Sequence, residues 1–286
     1  FGGDGDVLDL PSIGRLIDHQ LAAGTRALVV AGSTGEAAAL DVDEFSELLQ
    51  FAVRRVAGRV PVFAGTGQQS TAKTIEQTRI AASIGADFAL VVTPPYVRPT
   101  QQGLHRHYCQ VADHGGLPIM LYNVPLRTGC DLLPETVACL VDHPNIIGIK
   151  EARPERERMQ ALLALRHDQF RVFSGDDPTC ARAIGEGADG VISVAANVAP
   201  AAMQRLCELA AAAGQVDVAA LQARLSPLFD VLGAEPNPIP LKWCLQQLGF
   251  GAALPRLPLL SFSPAHHALA AKVLATLGLL HTGSKE

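Results

Sequence analysis

The residues of this chain that could do chemistry stand at the ends of apolar runs, and the most informative of them is a lysine. In PNIIGIKEA, Pro144 to Ala152, isoleucines at 146, 147 and 149 read as a buried strand, yet the run ends in Lys150. A lysine so placed ordinarily reaches to solvent or pairs with a neighbour such as Glu151. Held instead at the mouth of a ring of strands, its amine is partly desolvated, which favours the neutral form and frees a lone pair for attack on a carbonyl carbon. The chemistry of such a lysine is Schiff-base formation. Other apolar runs also end in polar side chains: Ser33 and Thr34, Thr66, Thr93, Tyr122 and Asn123, and Ser174 with Asp176. These add hydroxyls and a phenol able to relay a proton.

Placing them all around one space is the task of the elements that carry them. Seven short apolar runs recur: ALVVAG from Ala27, VPVFAGT from Val60, FALVVTP from Phe88, PIMLYNV from Pro118, IIGIKE from Ile146, FRVFSGD from Phe170 and GVISV from Gly190. They are nearly continuous in apolar residues, as strands covered on both faces should be. Between them lie helical segments such as STAKTIEQTRIAASIGA, where Ile75, Thr78, Ile80, Ala81, Ala82 and Ile84 form an inward stripe and Gly85 ends the helix. Strand and helix in alternation imply a parallel sheet, either open and doubly wound or closed as a (β/α)8 TIM barrel. Polar residues at the carboxyl ends of many strands favour the barrel, because an open sheet gathers its chemistry at one switch point. No G-x-G-x-x-G opens an early helix, which disfavours a dinucleotide-binding sheet.

Seven strands fall one short of the eight of a closed barrel. A helix from Leu10 to Ala23 with a Gly/Asp-rich loop ahead of it implies a strand before that loop, so the barrel is expected to lack its first strand in this chain. The expected organisation is a catalytic barrel over 1–213 and a C-terminal helical domain over 214–286.

Composition narrows the function classes. A hydrophobic fraction of 48% with 18% charged residues describes a globular chain, and a net charge of −5 with interspersed signs offers no face for nucleic acid or an anionic membrane. The longest apolar-leaning uncharged run, Gly190 to Gln204, is shorter than the ~20 residues of a spanning helix and contains Asn197 and Pro200. No secretory signal is visible at FGGDGDVLDL, and six cysteines without a C-x-x-C pair read as reduced thiols, so a cytoplasmic location is expected. His105 and His107, two apart on a helix, do not share a face and lack a third ligand at metal spacing, which disfavours a metal-dependent aldolase. Cys130 has nothing nearby to activate it and reads as packing.

The stretches AGSTGEAAAL, VFAGTGQQSTAKTIE, VTPPYVRPTQQGL, LYNVPLRTGCDL, IIGIKEA, FSGDD, GVISVAANVAP and EPNPIPLKW, in this order, resemble the dihydrodipicolinate synthase family. That family lies in the pyruvate-dependent lyase and aldolase superfamily that includes N-acetylneuraminate lyase. The resemblance implies that Lys150 condenses with the ketone of pyruvate and that Tyr122 is the acid/base tyrosine. Ser33 and Tyr96 match its hydroxyl relay, Tyr96 reaching in from a neighbouring subunit, which requires a dimer and suggests a tetramer built as a dimer of dimers. Thr34 and the adjoining amides match the pyruvate carboxylate pocket, although Ser33 and Thr34 would equally serve to cap the helix that follows. Gly175 and Ile192 match positions lining the reaction site. Many synthases carry threonine where Ser33 stands; serine keeps the hydroxyl.

Arg127 resembles the arginine that receives the carboxylate of L-aspartate 4-semialdehyde, with a fork suited to that anion. The resemblance thus implies condensation of pyruvate with that aldehyde to 4-hydroxy-tetrahydrodipicolinate, in diaminopimelate and lysine synthesis, with no cofactor and no metal. Two other readings stay open: a 2-keto-acid aldolase acting on a sugar acid, and a catalytically silent relative that binds a keto acid. Retention of lysine, tyrosines and relay together argues against the silent relative.

Regulation is where the chain departs from its family's pattern. Feedback-inhibited synthases bind lysine between subunits through an acidic side chain, histidine, asparagine and tyrosine; the matching positions here are Lys73, Val42, Phe45, Gln69 and Pro95. An ammonium at Lys73 would oppose that of the ligand. Millimolar L-lysine should therefore leave the steady-state rate at saturating pyruvate unchanged; strong inhibition would mean that the site has been rebuilt from other residues.

Overall fold

The structure is a computed structural model that describes residues 1–2, 7–212 and 215–280. Seven parallel strands form one sheet in strictly sequential order: β1 Leu28–Val30, β2 Val62–Gly65, β3 Phe88–Val92, β4 Ile119–Asn123, β5 Ile146–Glu151, β6 Arg171–Ser174 and β7 Gly190–Val191. Each lies within one of the seven apolar runs. The helices that precede, connect or follow them are α1 Leu10–Ala22, α2 Val42–Val56, α3 Thr71–Ile84, α4 Gln101–His114, α5 Pro125–Thr128, α6 Pro134–Ala138, α7 Arg156–Leu163, α8 Cys180–Gly185 and α9 Pro200–Ala211. Sequential parallel order with helices outside is the wall of a (β/α) barrel. Among the described residues β1 and β7 are the sheet's edges and no eighth strand is paired to them.

Local chemistry explains where the helices start and stop. Asp41 accepts from the Glu44 amide while the Glu44 carboxylate accepts from the Asp41 amide, a capping box that opens α2. Ser70 caps α3 through the Lys73 amide, and Gly85, at φ 99°, ends it in the left-handed conformation that glycine adopts without strain.

The C-terminal segment is helical, as its patterning predicts: α10 Gln215–Gly233, α11 Ile239–Gln247 and α12 Pro264–Thr276. The expected boundary at 213/214 lies outside the described residues. Leu225, Leu228, Trp243, Phe262 and Leu274 of this segment share one core with Met203, Leu206, Val172 and Ile149 of the barrel wall.

Which way the strands turn their side chains decides where a site can form. Along β4, Ile119 and Leu121 belong to the outer core against the helices, whereas Met120 and Tyr122 belong to the inner cluster with Leu90, Phe63 and Phe173. On β5 the alternation is interrupted. Ile119 pairs with Ile146 but Met120 pairs with Gly148, so Ile147 is an extra residue in the ladder. Ile146 and Ile149 both face outward, and Lys150, opposite Tyr122, faces inward. Strict alternation from Ile146 would have sent Lys150 into the helix layer. Gly148 makes the irregularity possible: a Cβ there would lie 2.3 Å from the Arg171 carbonyl oxygen.

One buried group links this packing to pH. His107 of α4 contacts the Thr71 hydroxyl through Nδ1 at 3.0 Å, its Nε2 is buried without a partner, and burial lowers its pKa to about 4. The unfolded chain takes up this proton below pH 6.5, but the folded chain does so only near 4. Stability from this group is therefore full above 6.5 and falls between 6.5 and about 4, by roughly 2–4 kcal/mol. His107→Asn should unfold in urea with a smaller loss of stability between pH 7.5 and 5 than the parent; equal losses would acquit His107.

Candidate active site

The carboxyl ends of β4 and β5 bring the two central residues together. Tyr122 and Lys150 are register partners, and the Lys150 Nζ lies 4.2 Å from the centroid of the Tyr122 ring. Tyr122 is buried and Lys150 half-buried, so the amine is held against an aromatic face inside the sheet's concavity. The row continues through Phe173 to Gly190. Ile192, beyond β7, packs against the same inner cluster and donates its amide to the Ser174 carbonyl at 2.9 Å.

Gly175 is the space that the lysine occupies. A Cβ at 175 would stand 2.8 Å from Lys150 Cε and 3.1 Å from Cγ, so any side chain at 175 must displace the lysine stem. Nearby, Asp177 accepts from the Val194 and Ala195 amides at 3.0 and 2.8 Å. Burial raises its pKa, against the opposing pull of hydrogen bonds from Ser193 and these amides and of the Lys150 charge; its Oδ1 is enclosed without a protein partner.

Ser33 and Thr34 lie in the turn after β1. The short 3-10 turn Ala37–Ala39 that follows has Glu36 at its N-cap and no side-chain cap, so neither hydroxyl is spent on helix capping. Thr34 Oγ1 instead accepts from Asn237 Nδ2 at 2.9 Å, and the Asn237 carbonyl accepts from Arg127 Nη2 at 3.0 Å. Asn237 thereby joins two residues expected to bind opposite ends of the substrates. Glu36, buried with φ 53°, forms an ion pair with Lys242 and accepts from the Arg256 amide at 2.8 Å. The GSTGE turn is thus held from two sides by EPNPIPLKW, roughly 200 residues away in sequence.

Arg127 itself is exposed on α5. Tyr96 is 90% exposed at φ 73°, with its amide donating to the Thr128 carbonyl at 3.1 Å. Among the described residues no hydrogen bond joins the hydroxyls of Ser33, Tyr122 and Tyr96, so the expected relay is not closed within one chain. Lys73 and Val42 are exposed, while Phe45 is turned into the core beneath α2. No group of three or more His, Cys, Asp or Glu among the described residues could hold a metal ion. No helix among them is long and apolar enough to cross a membrane.

Asn237 and Asp177 escaped the sequence reading although both sit in the motifs quoted, EPNPIPLKW and FSGDD. An asparagine between two prolines was the available signal. Their partners lie far away in sequence, so spacing alone could not have named them.

A parallel strand-and-helix wall that gathers lysine, tyrosine and hydroxyls at its carboxyl ends defines a barrel enzyme of the lyase and aldolase class. The chain belongs to the dihydrodipicolinate synthetase family, whose model matches residues 1–277. It is 60% identical over 275 residues to the 4-hydroxy-tetrahydrodipicolinate synthase of Xanthomonas axonopodis pv. citri, covering 96% of this chain and 90% of that protein. With the synthase of Stenotrophomonas maltophilia (strain K279a) it shares 59% identity over 270 residues, 94% of this chain and 90% of the relative. Among solved structures, the chloride-inhibited dihydrodipicolinate synthase of Acinetobacter baumannii, complexed with pyruvate, superposes with a TM-score of 0.94 at 40% identity, covering 97% of this chain and 95% of that one.

The contact at Gly175 gives a direct test of the lysine's seat. Gly175→Ala should keep the thermal stability near that of the parent, since Lys150 can swing aside, but lower kcat by about tenfold or more through misplacement of the amine. Unchanged kcat would show that the lysine works from elsewhere.

Proposed function

We propose that this chain condenses pyruvate with L-aspartate 4-semialdehyde to give 4-hydroxy-tetrahydrodipicolinate, for diaminopimelate and lysine synthesis. The observation that carries the reading is the Lys150 amine seated 4.2 Å over the Tyr122 ring at the centre of the strand ends. In this route Nζ adds to the keto carbon of pyruvate and water leaves, giving an iminium. Loss of a methyl proton turns it into an enamine, whose carbon attacks the aldehyde carbon of the second substrate. The α-amino group of that substrate then adds to the iminium carbon, closes the ring and expels Nζ, so Lys150 is regenerated. Neither a metal nor another cofactor is required.

Tyr122 moves the protons of these steps with Ser33 and with Tyr96 of a second chain. Thr34 and the amides of its turn receive the pyruvate carboxylate, a role suited to donors in a tight turn, while Gly175 and Ile192 line the reacting carbons. Arg127, exposed at the rim yet tied to the Asn237 carbonyl, meets the carboxylate of the aldehyde. A dimer follows from this assignment, because a phenol 90% exposed on one chain completes the relay of another. Val97 and Leu126, 52% and 96% exposed on the neighbouring turns, add apolar surface that such a partner would cover. Two dimers make the tetramer, and the reaction runs in the cytoplasm.

Borohydride reduction in the presence of pyruvate should leave one adduct, on the peptide containing Lys150, and Lys150→Arg should abolish it while keeping the charge. Tyr122→Phe should lower kcat by roughly a hundredfold or more, the usual scale for loss of a general acid/base. In a paired assay, turnover with L-aspartate 4-semialdehyde should far exceed turnover with a sugar-derived aldehyde. An adduct confined to another lysine, or a preference for the sugar, would overturn the reading.

A further inference from the structure

Behind the Tyr122–Lys150 pair, on the opposite face of the same two strands, lies a second register pair, Asn123 and Glu151. Successive residues of a strand point to opposite faces, so this pair is turned into the wall and both residues are fully buried. The Asn123 Nδ2 donates to both Glu151 oxygens, at 3.2 and 3.0 Å, and to Asp131 Oδ1 at 2.8 Å. Its Oδ1 accepts from the Leu132 amide at 2.9 Å, and Glu151 Oε1 accepts from the Arg153 amide at 2.8 Å. Asp131 in turn holds Arg153 and Arg158 at 2.9 and 2.6 Å. The network closes the segment carrying Arg127 back onto the ends of β4 and β5.

The groups facing Glu151 can be named element by element. From β4 comes neutral Asn123; from the segment after α5, anionic Asp131; from α7, cationic Arg158; and from the extension of β5, Arg153, which also pairs with Glu155. From β6 comes Ser174, uncharged and donating to the Asp176 carbonyl. The guanidinium groups of Arg153 and Arg158 are both committed to Asp131, and it is the Arg153 backbone amide that reaches the Glu151 carboxylate.

We propose that Glu151 is a positioning residue for the Lys150 chemistry: its carboxylate, anchored by Asn123, aligns the two strand ends and places a negative charge one residue behind the amine that becomes an iminium. The inference rests on the assignment of Lys150 above. A carboxylate accepting from Asn123 and the Arg153 amide locks the register that holds Lys150 over Tyr122, and its charge, screened little inside the wall, favours conversion of the neutral amine to the iminium cation. Burial supports a proton-dependent version of this effect, since desolvation raises the Glu151 pKa to about 7 against the pull of Asn123, the Arg153 amide and Arg158. The carboxylate is therefore neutral well below pH 7 and charged well above it, so iminium formation should strengthen as pH rises through that point.

The test measures borohydride-trapped pyruvate adduct at subsaturating pyruvate from pH 5.5 to 8.5, with intact-protein mass spectrometry, for the full chain and for Glu151→Gln and Glu151→Asp. The parent should show an inflection near pH 7. Glu151→Gln, which keeps the shape and an acceptor but not the charge, should lose that inflection and form about tenfold less adduct at pH 8, the scale of one nearby charge in a protein interior. Glu151→Asp should restore part of both, which a merely structural defect would not. Circular dichroism and melting curves identify any variant that fails to fold; in that case the same inflection, read as a carboxyl titration by isotope-edited infrared difference spectroscopy of the parent, decides. Identical pH profiles in parent and Glu151→Gln, or no carboxyl titration between 6 and 8, overturn the proposal. Absence of any adduct in the parent overturns the Lys150 assignment, and the inference with it.

Discussion

The site depends on one irregularity in strand pairing. Between Ile146 and Gly148 the β5 ladder takes up an extra residue, Ile147, against β4. The side-chain period of a strand is two, so this one residue exchanges the faces of everything after it. Without it Lys150 would be buried in the helix layer as an unpaired ammonium, a costly arrangement, and Glu151 would stand in the concavity. With it, the amine meets the Tyr122 ring and the carboxylate meets Asn123. Gly148 permits the close approach to the Arg171 carbonyl that the irregular pairing demands, and Gly175 leaves the volume that the lysine stem then fills.

Around this centre the fold works by long-range closure. Two motifs at opposite ends of the chain meet twice: Thr34 with Asn237, and Glu36 with Lys242. Burial lowers the pKa of Lys242, but its ion pair with Glu36 opposes that shift. The C-terminal helices are therefore part of the site's construction. They support the turn after β1 from outside the sheet, and through the Asn237 carbonyl they also steady Arg127 at the rim. Such long-range polar contacts specify one arrangement of loops that apolar packing alone would leave loose.

Two acids near the amine differ in what they face. Asp177 is held by backbone amides at the end of β7 and feels the Lys150 charge directly. Glu151 lies on the other side of the wall and is reached by Asn123. Both carry raised pKa values because burial opposes their charged forms.

The sequence by itself determined the strands, the helices between them, the parallel order and the class of chemistry. Apolar runs of strand length, helical stripes closed by residues such as Gly85, and polar residues at successive run ends are local signals that tertiary context did not override. Lys150, Tyr122, Ser33, Thr34, Arg127, Gly175, Ile192 and Tyr96 could be named as candidates because they end those runs or stand in motifs resembling a family. What only the tertiary structure decided is which face each residue takes and which distant group it meets. The inward turn of Lys150 depends on a pairing shift between two strands, which no pattern within IIGIKE reveals, since Ile146 and Ile149 alike point outward. The partnerships of Asn237 with Thr34 and of Glu151 with Asn123 arise from chain closure over tens to hundreds of residues. Hydrogen bonds of that range leave no periodicity in a sequence, because their geometry exists only once the sheet has curved and its strand ends have converged.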